Sequence, residues 1–288
     1  MAFRYIGSKA RLVDSLREHI GPWKDGTFFD AFCGTGAVAE LASSLGWPVL
    51  LNDHLLSSAT MAAARLARSE NAQFTKLGSY EKTILSLNAL DPIEGFIWRE
   101  YSPASRRHCG IERRYFTEAN AGRIDAARQQ IAMCSKEGLL STDEEQLILT
   151  DLLGAVNRCA NIAGTYECFL AKWTAQSANA FLLQARPLAS DVKLSVRDVF
   201  ELTPAESDVV YLDPPYTKRQ YAAYYHILET VVIGDEPTVE GVAGLCPWKD
   251  RSSVFCYKIK VLNVLVRLIE GFNARRILLP YSKQRRPI

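Results

Sequence analysis

The stretch DVVYLDPPYTKRQY, residues 208–221, sets an acid, two prolines and an aromatic at the end of an apolar run. Asp213 can accept a hydrogen bond from an amino group, and Pro215 fixes the direction of the Pro214 carbonyl, so two acceptors can face one NH2. An exocyclic amine on an aromatic base is a poor nucleophile because its lone pair is delocalised into the ring. Gripping both hydrogens favours a pyramidal nitrogen whose pair can attack a methyl sulfonium in line. Such a site supplies orientation and preorganised dipoles instead of a covalent nucleophile. Tyr216 would stack on the base, which must leave its duplex at a cost of about a few kcal/mol. The plainer reading is a turn that merely ends a strand.

A second motif, DAFCGTGAV, places Asp30 and Phe32 at the end of another apolar run and Gly34 and Gly36 in the turn before a helix. Glycine lets the chain turn sharply and a ligand approach the backbone, while the helix start exposes donors. Such a turn also occurs merely to close a strand-helix unit. What favours a nucleoside site is LLND, which puts Asn52 and Asp53 roughly 20 residues further on, where an acid can accept from ribose hydroxyls. Ala39 stands where the third glycine of a pyrophosphate fingerprint would be. A nucleoside without pyrophosphate fits better, and S-adenosylmethionine is the commonest. The cofactor set is then Asp30, Phe32, Cys33, Gly34, Thr35, Gly36, Asn52 and Asp53, with no chemistry assigned to the Cys33 side chain.

These motifs need elements to hold them. Apolar runs at 27–32 and in PVLLND flank a helix over 37–45, a βαβ unit whose strands should pair in parallel with a right-handed crossover. A further helix should run through LLSSATMAAARLARS. From about residue 69 to 184 the periodicity turns helical, clearest in NAGRIDAARQQIAMC, capped by Asn120, and TDEEQLILTDLLGAVNRCANIAG, capped by Ser141 or Thr142. Strand patterns return in VKLSVRDVFEL and SDVVYLDPPY, and NVLVRLIEGFNARRILLPYS reads as a helix and a buried strand. The expectation is an α/β fold: a doubly wound, Rossmann-like sheet from 1–68 and 185–288, interrupted by a mostly helical inserted domain over 69–184.

With 288 residues, 48% of them hydrophobic, the chain can bury a full core. No window reads as a signal peptide or membrane span, so the cytoplasm is the expected location. Seven cysteines without a Cys-x-x-Cys suit a reducing compartment, and four scattered histidines give no metal signature. A net charge of +2 is too small to argue for nucleic acid. The distribution says more: basic residues interleave with aromatics in SRRHCGIERRYF and TKRQY, which raises a nucleic-acid reading above that of a solvated face. Arg106, Arg107, Arg113, Arg114, Lys218 and Arg219 are the candidate phosphate or base contacts. Gln220 and Tyr221, with Arg219, are candidates to fill the gap left by an extruded base; Tyr224, Tyr225 and His226 should pack the next helix.

Together these residues resemble the amino-methyltransferases that act on adenine in DNA, the Dam-like family and, in DPPYTKRQY and YYHILET, the FokI-type modification methylases. The resemblance covers most of the chain. In FRYIGSKARL it implies that Tyr5, Gly7, Ser8 and Lys9 help hold the methionine end of the cofactor. In SVRDVFEL it implies that Asp198, followed by Val199, touches the cofactor's adenine. The family's target-recognition insertion falls where the helical region lies, and CANIAGTYECFLAKW resembles its Asn-x-x-Gly-x-Tyr segment through Asn161, Gly164 and Tyr166. The family continues past Tyr-Ser-Asn into a final β-hairpin; here the triplet is Tyr281-Ser282-Lys283.

The implied activity is site-specific transfer of methyl from S-adenosylmethionine to adenine N6 in double-stranded DNA, in a restriction-modification or phage and host modification setting. A cognate restriction endonuclease is a partner to look for, no membrane is involved, and a monomer or weak dimer is expected. Alternatives are amino methylation of RNA or of cytosine N4, and a catalytically silent DNA-binding relative. Asp213 argues for adenine by resemblance only. Cytosine carbon-5 methylation would need a thiol, and Cys246-Pro247 lies far from any strand-end signal.

Overall fold

The computed structural model describes residues 13–67, 72–186, 193–195, 198–215, 220–257 and 259–280, giving the backbone alone at 13, 14 and 193–195. Its centre is a five-stranded sheet in which every pairing is parallel. The strands are β1 (Phe28–Asp30), β2 (Val49–Asn52), β3 (Lys193–Ser195), β4 (Val209–Tyr211) and β5 (Arg276–Leu278), in spatial order β3-β2-β1-β4-β5. The chain thus builds outward from β1 in one direction, then returns to build outward in the other. The switch falls between β1 and β4, where an open parallel sheet leaves a crevice beyond its strand ends.

Strand alternation gives each face its own cover. Phe28, Val49, Leu51, Val209 and Tyr211 point to one side, against α1 (Val13–Ile20), α2 (Ala37–Ser44) and α3 (Leu56–Arg65). Phe29, Val210 and Leu212 point to the other, against Val199, Leu202 and Phe255. Strands buried on both faces read as continuous apolar runs, which is why FFD and VVY carry no alternation.

Between Ala72 and Arg186 the described residues form helices and irregular segments without a strand. The helices are α4 (Tyr80–Asn88), α5 (Phe96–Tyr101), α6 (Ser105–Cys109), α7 (Glu118–Lys136) and α8 (Thr142–Cys159). Ser141 starts α8 with a full capping box, its hydroxyl accepting from Glu144 N–H while the Glu144 carboxylate accepts from Ser141 N–H. At α7 the cap is Thr117, accepting from Asn120 N–H, and not Asn120. Asn120 lies one turn inside the helix, where its amide bridges Asn179 O and Phe181 N–H instead. This region does not close on itself: one apolar cluster joins its helices to Met61 and Ala64 of α3 and to Ile227, Leu228 and Val231 of α10 (His226–Ile233). Short α9 (Tyr221–Tyr224) precedes α10, and α11 (Val261–Glu270) leads into β5. Among the described residues no helix is long and apolar enough to cross a membrane.

Candidate active site

Strand register assembles the site. Asp30 ends β1 opposite Leu51 of β2 on one side and Tyr211 of β4 on the other. Two residues further along, on the same side of the sheet, come Asp53 and Asp213, so carboxylates from three adjacent strands meet at the switch point. Asp30 is 1% exposed. Backbone N–H groups of Ala39 and Phe32 donate to its carboxyl, yet Oδ1 has no hydrogen-bond partner among the described residues. Burial first, then the charges of Asp213 and Asp53, push its pKa up to about 8. Asp53 accepts from Gly34 N–H through Oδ2 and from Leu55 N–H through Oδ1, both at 3.0 Å. Burial lifts it to about 6 against those two bonds. Among the described residues no lysine or arginine forms an ion pair with Asp30 or Asp53.

The glycine turn is held from beneath. Cys33 N–H donates to Asn52 O at 2.9 Å and Gly36 N–H to Cys33 O at 2.7 Å. Buried Asn52 donates its own amide to Ala31 O at 3.2 Å, locking the two strand ends together. Gly36 has φ +77°, and a Cβ there would stand 2.8 Å from Ala62 Cα, so this glycine lets α2 start flush against α3. Closure alone therefore accounts for Gly36, whereas Gly34 directs its N–H at the carboxylate of Asp53. Thr35 is buried, and Cys33 is a buried thiol pushed well above its usual range by burial, then by Asp53 and Asp30. It stays protonated and is no nucleophile. Asp198 is exposed and accepts from Phe200 N–H at 3.1 Å, capping the turn Val199–Glu201, while Val199 is buried against the second face.

Beyond β4, Asp213 is half-buried, Pro214 buried and Pro215 half-buried. Tyr5, Gly7, Ser8, Lys9, Tyr216, Lys218, Arg219 and the triplet 281–283 lie outside the described residues. The candidates drawn together at the crevice are thus Asp30, the 32–36 turn, Asn52, Asp53 and Asp213. Tyr225 and His226 are buried among the helices, and Tyr224 is half-buried. Tyr221 is half-buried with its ring 5.9 Å from that of Tyr225. Gln220 is bonded inward, to Ser253.

The basic residues divide. Arg106 and Arg107 are exposed on α6; Arg106 faces Glu112 at 3.6 Å, and Arg107 pairs with Glu118 at 3.3 Å with its guanidinium over Trp98. Arg114 is held by Glu112 at 2.7 Å. Arg113 corrects the expectation of a phosphate or base contact: it is 3% exposed and donates to the Glu100 carboxylate at 2.9 Å and to the carbonyls of Glu100, Gly241 and Val242. The turn at Gly110 sends it inward, so its guanidinium staples the helical region to the loop at 241–244.

Sequence reading missed Glu229 of α10. Its carboxylate accepts from Leu56 N–H at 3.0 Å, Ser57 N–H at 2.9 Å and the Ser57 hydroxyl at 2.7 Å, capping α3 directly after Asp53. An acid enclosed by ILETVV is a signal for a buried carboxylate, although its partner lies 173 residues away. Cys246 is buried against Tyr101 and His226, and burial raises its thiol, so it offers no thiolate. Among the described residues no group of histidine, cysteine and acidic side chains could hold a metal ion.

A parallel sheet with a glycine turn and three carboxylates at its switch point is the arrangement in which open α/β sheets bind ligands beyond their strand ends. A family model described as D12 class N6 adenine-specific DNA methyltransferase matches residues 5–281, and the chain belongs to that family. It is 34% identical over 299 residues to the type II methyltransferase M.FokI of Planomicrobium okeanokoites, covering 98% of this chain and 44% of that protein. It is 31% identical over 293 residues to the modification methylase StsI of Streptococcus sanguinis, with the same 98% and 44% coverage. It is 31% identical over 288 residues to the type II methyltransferase M.CviAII of Paramecium bursaria Chlorella virus 1, covering 97% and 83%. The chain thus spans less than half the length of the first two relatives. No solved structure matches it.

Proposed function

We propose that this chain is a site-specific DNA methyltransferase that places a methyl group on N6 of an extruded adenine. The observation that carries the reading is Asp213-Pro214-Pro215 at the end of β4, beside the glycine turn of β1 and two further carboxylates. Asp213 accepts one hydrogen of the amine and the Pro214 carbonyl the other, localising the nitrogen lone pair; Tyr216 stacks on the base. The doubly wound, Rossmann-like arrangement of the methyltransferases agrees with the strand order β3-β2-β1-β4-β5 and with helices on both faces.

S-adenosylmethionine fits the residues present: a buried Asp30 oxygen without a partner among the described residues and a crevice of carboxylates suit a ligand carrying a sulfonium and an ammonium group. When bound it supplies an electrophilic methyl carbon. Asp53 would accept from its ribose hydroxyls, Asp198 and Val199 would meet its adenine, and the 32–36 turn with Asn52 shapes its floor. Tyr5, Gly7, Ser8 and Lys9 complete the set by family resemblance.

Residues 1–68 and 185–288 would then be the catalytic domain and 69–184 the target-recognition insertion, its core continuous with α3 and α10. Arg106, Arg107, Arg114, Lys218 and Arg219 are the proposed contacts to double-stranded DNA. By likeness to type II modification methylases the setting is restriction-modification in the cytoplasm, with a cognate endonuclease as partner and a monomer or weak dimer at work. Incubation with labelled cofactor and DNA, RNA or protein tests the reading. The expected product is N6-methyladenine in DNA, with a fall of about 10³-fold in Asp213→Ala, the scale of losing a preorganised electrostatic group. Label in RNA or protein alone, or a wild-type rate in the variant, overturns it.

A further inference from the structure

Gln220 is the first described residue after the 216–219 segment and opens α9, its carbonyl accepting from Ala223 N–H and Tyr224 N–H. Its side chain is committed elsewhere. Nε2 donates to Ser253 O at 3.2 Å and Oε1 accepts from Ser253 N–H at 2.8 Å, so one amide satisfies both main-chain groups of a residue 33 positions away. Ser253 in turn caps the short turn Val254–Cys256. Within that turn Phe255 is 3% exposed and touches two walls of the crevice. Its ring meets Phe32 of the glycine turn edge-on at 5.3 Å and stacks on Phe200 at 6.1 Å. Phe200 lies two residues after Asp198, and Arg267 covers its ring at 4.6 Å. The turn Val254–Cys256 therefore joins the exit of the Asp213 segment, the glycine turn and the Asp198 turn.

A glutamine that entered the duplex to replace an extruded base would have to surrender both bonds to Ser253. We infer that Gln220 is instead a positioning residue, whose amide clamps the exit of the Asp213 segment to the Phe255 wall and so holds the amine-gripping carboxylate in register with the cofactor turn. The inference rests on the methyltransferase reading above and deepens it. Misplacement of a reacting group by about 1 Å costs on the order of 100-fold in rate, so a two-point grip is of consequence where three segments far apart in the chain must converge.

The test compares Gln220→Met, of similar length with neither bond, and Gln220→Glu, which keeps an acceptor for Ser253 N–H and loses the donor. Single-turnover methylation, S-adenosylhomocysteine affinity, fluorescence of 2-aminopurine at the target base and hydrogen exchange are measured on the full chain. Gln220→Met should lower the methylation rate about 10- to 100-fold and Gln220→Glu less. Cofactor affinity should stay within about 2-fold and the 2-aminopurine signal should still rise on binding, because extrusion does not use this amide. Exchange should quicken at the amides of Ser253, Leu212 and Asp213, since Pro214 and Pro215 carry no amide hydrogen.

A methylation rate within about 2-fold of wild type, or loss of the 2-aminopurine rise, overturns the inference. So does the failure of both variants to fold, which would assign Gln220 to stability alone. Should the wild-type chain methylate no adenine, the functional reading fails by itself. Hydrogen exchange then decides the clamp, and unchanged protection at Ser253, Leu212 and Asp213 in Gln220→Met would sink it.

Discussion

Buried carboxylates occur both in the helical region and at the ends of the central strands, and their surroundings differ. In the helical region each is met by donors. Asp125 accepts from Ile97 N–H and Trp98 N–H at the start of α5 and faces Arg128. Asp151 accepts from the Tyr80 hydroxyl at 2.5 Å and from Arg186 at 2.5 and 2.8 Å. Burial pushes both carboxyls up, and their hydrogen-bond donors and arginines pull them back toward the ionised form. At the strand ends burial also raises Asp30, but there the neighbouring charges, Asp213 and Asp53, push the same way. The first arrangement completes itself within the protein. Among the described residues the second has backbone N–H donors and no arginine or lysine paired with Asp30 or Asp53, the contrast expected between a carboxylate that stabilises and one that binds.

Breaking a completed site should have the largest effect. Asp151→Ala leaves Arg186 uncompensated against a side chain that was fully enclosed, and removal of one partner of a buried pair costs about 3–5 kcal/mol. Chemical denaturation should show that loss, with the midpoint falling and the slope unchanged. A change under about 1 kcal/mol would mean that the triad of Tyr80, Asp151 and Arg186 is no tie between α4, α8 and the chain entering β3.

Asp30→Asn should act in the opposite direction. The native chain holds a proton on Asp30 up to about pH 8, whereas the unfolded chain releases it near 3.8. Between those values the native state binds more protons, so this group's contribution is full below 3.8 and lost as pH rises through about 8. Asparagine has no such slope. The variant's thermal midpoint relative to wild type should therefore climb from acid to about pH 8 and level off above it, by roughly 2–4 °C for each kcal/mol relieved. Its affinity for S-adenosylmethionine should fall at the same time. Parallel curves for the two proteins would mean that Asp30 is ionised throughout and that the comparison with Asp151 fails.

How far such distinctions can be read from sequence depends on how local their causes are. Strands β1, β2 and β4 and helices α2 and α8 follow their apolar runs, glycines and caps to within a few residues, because those signals lie inside the element. That β4 lies beside β1 is topology, and without it nothing brings Asp213 next to Asp30. The spacing of LLND suggested a ribose acid at Asp53. It did not reveal that Glu229 fastens the helix behind it, nor that Ser253 holds Gln220. Each of those contacts joins elements far apart in the chain. Asn120 as a cap erred by one turn because Thr117, three residues earlier, also offers a side-chain oxygen acceptor and takes the Asn120 N–H.

The run SRRHCGIERRYF shows the limit most plainly and supplies the finest test. Composition treats Arg107 and Arg113 alike, but a helix holds the first in solvent and a glycine turns the second inward onto Glu100. If Arg107 neutralises a phosphate, Arg107→Ala should weaken DNA binding evenly across sequences and reduce the slope of log affinity against log salt by about 1, with thermal stability unchanged. Arg113→Ala should leave that slope alone and lower stability, since it uncovers a buried carboxylate and the carbonyls at 241 and 242. Equal salt slopes for wild type and Arg107→Ala would remove α6 from the DNA-binding face. A reduced slope in Arg113→Ala would mean that DNA draws this guanidinium out of its ion pair, erasing the contrast between the two halves of the run.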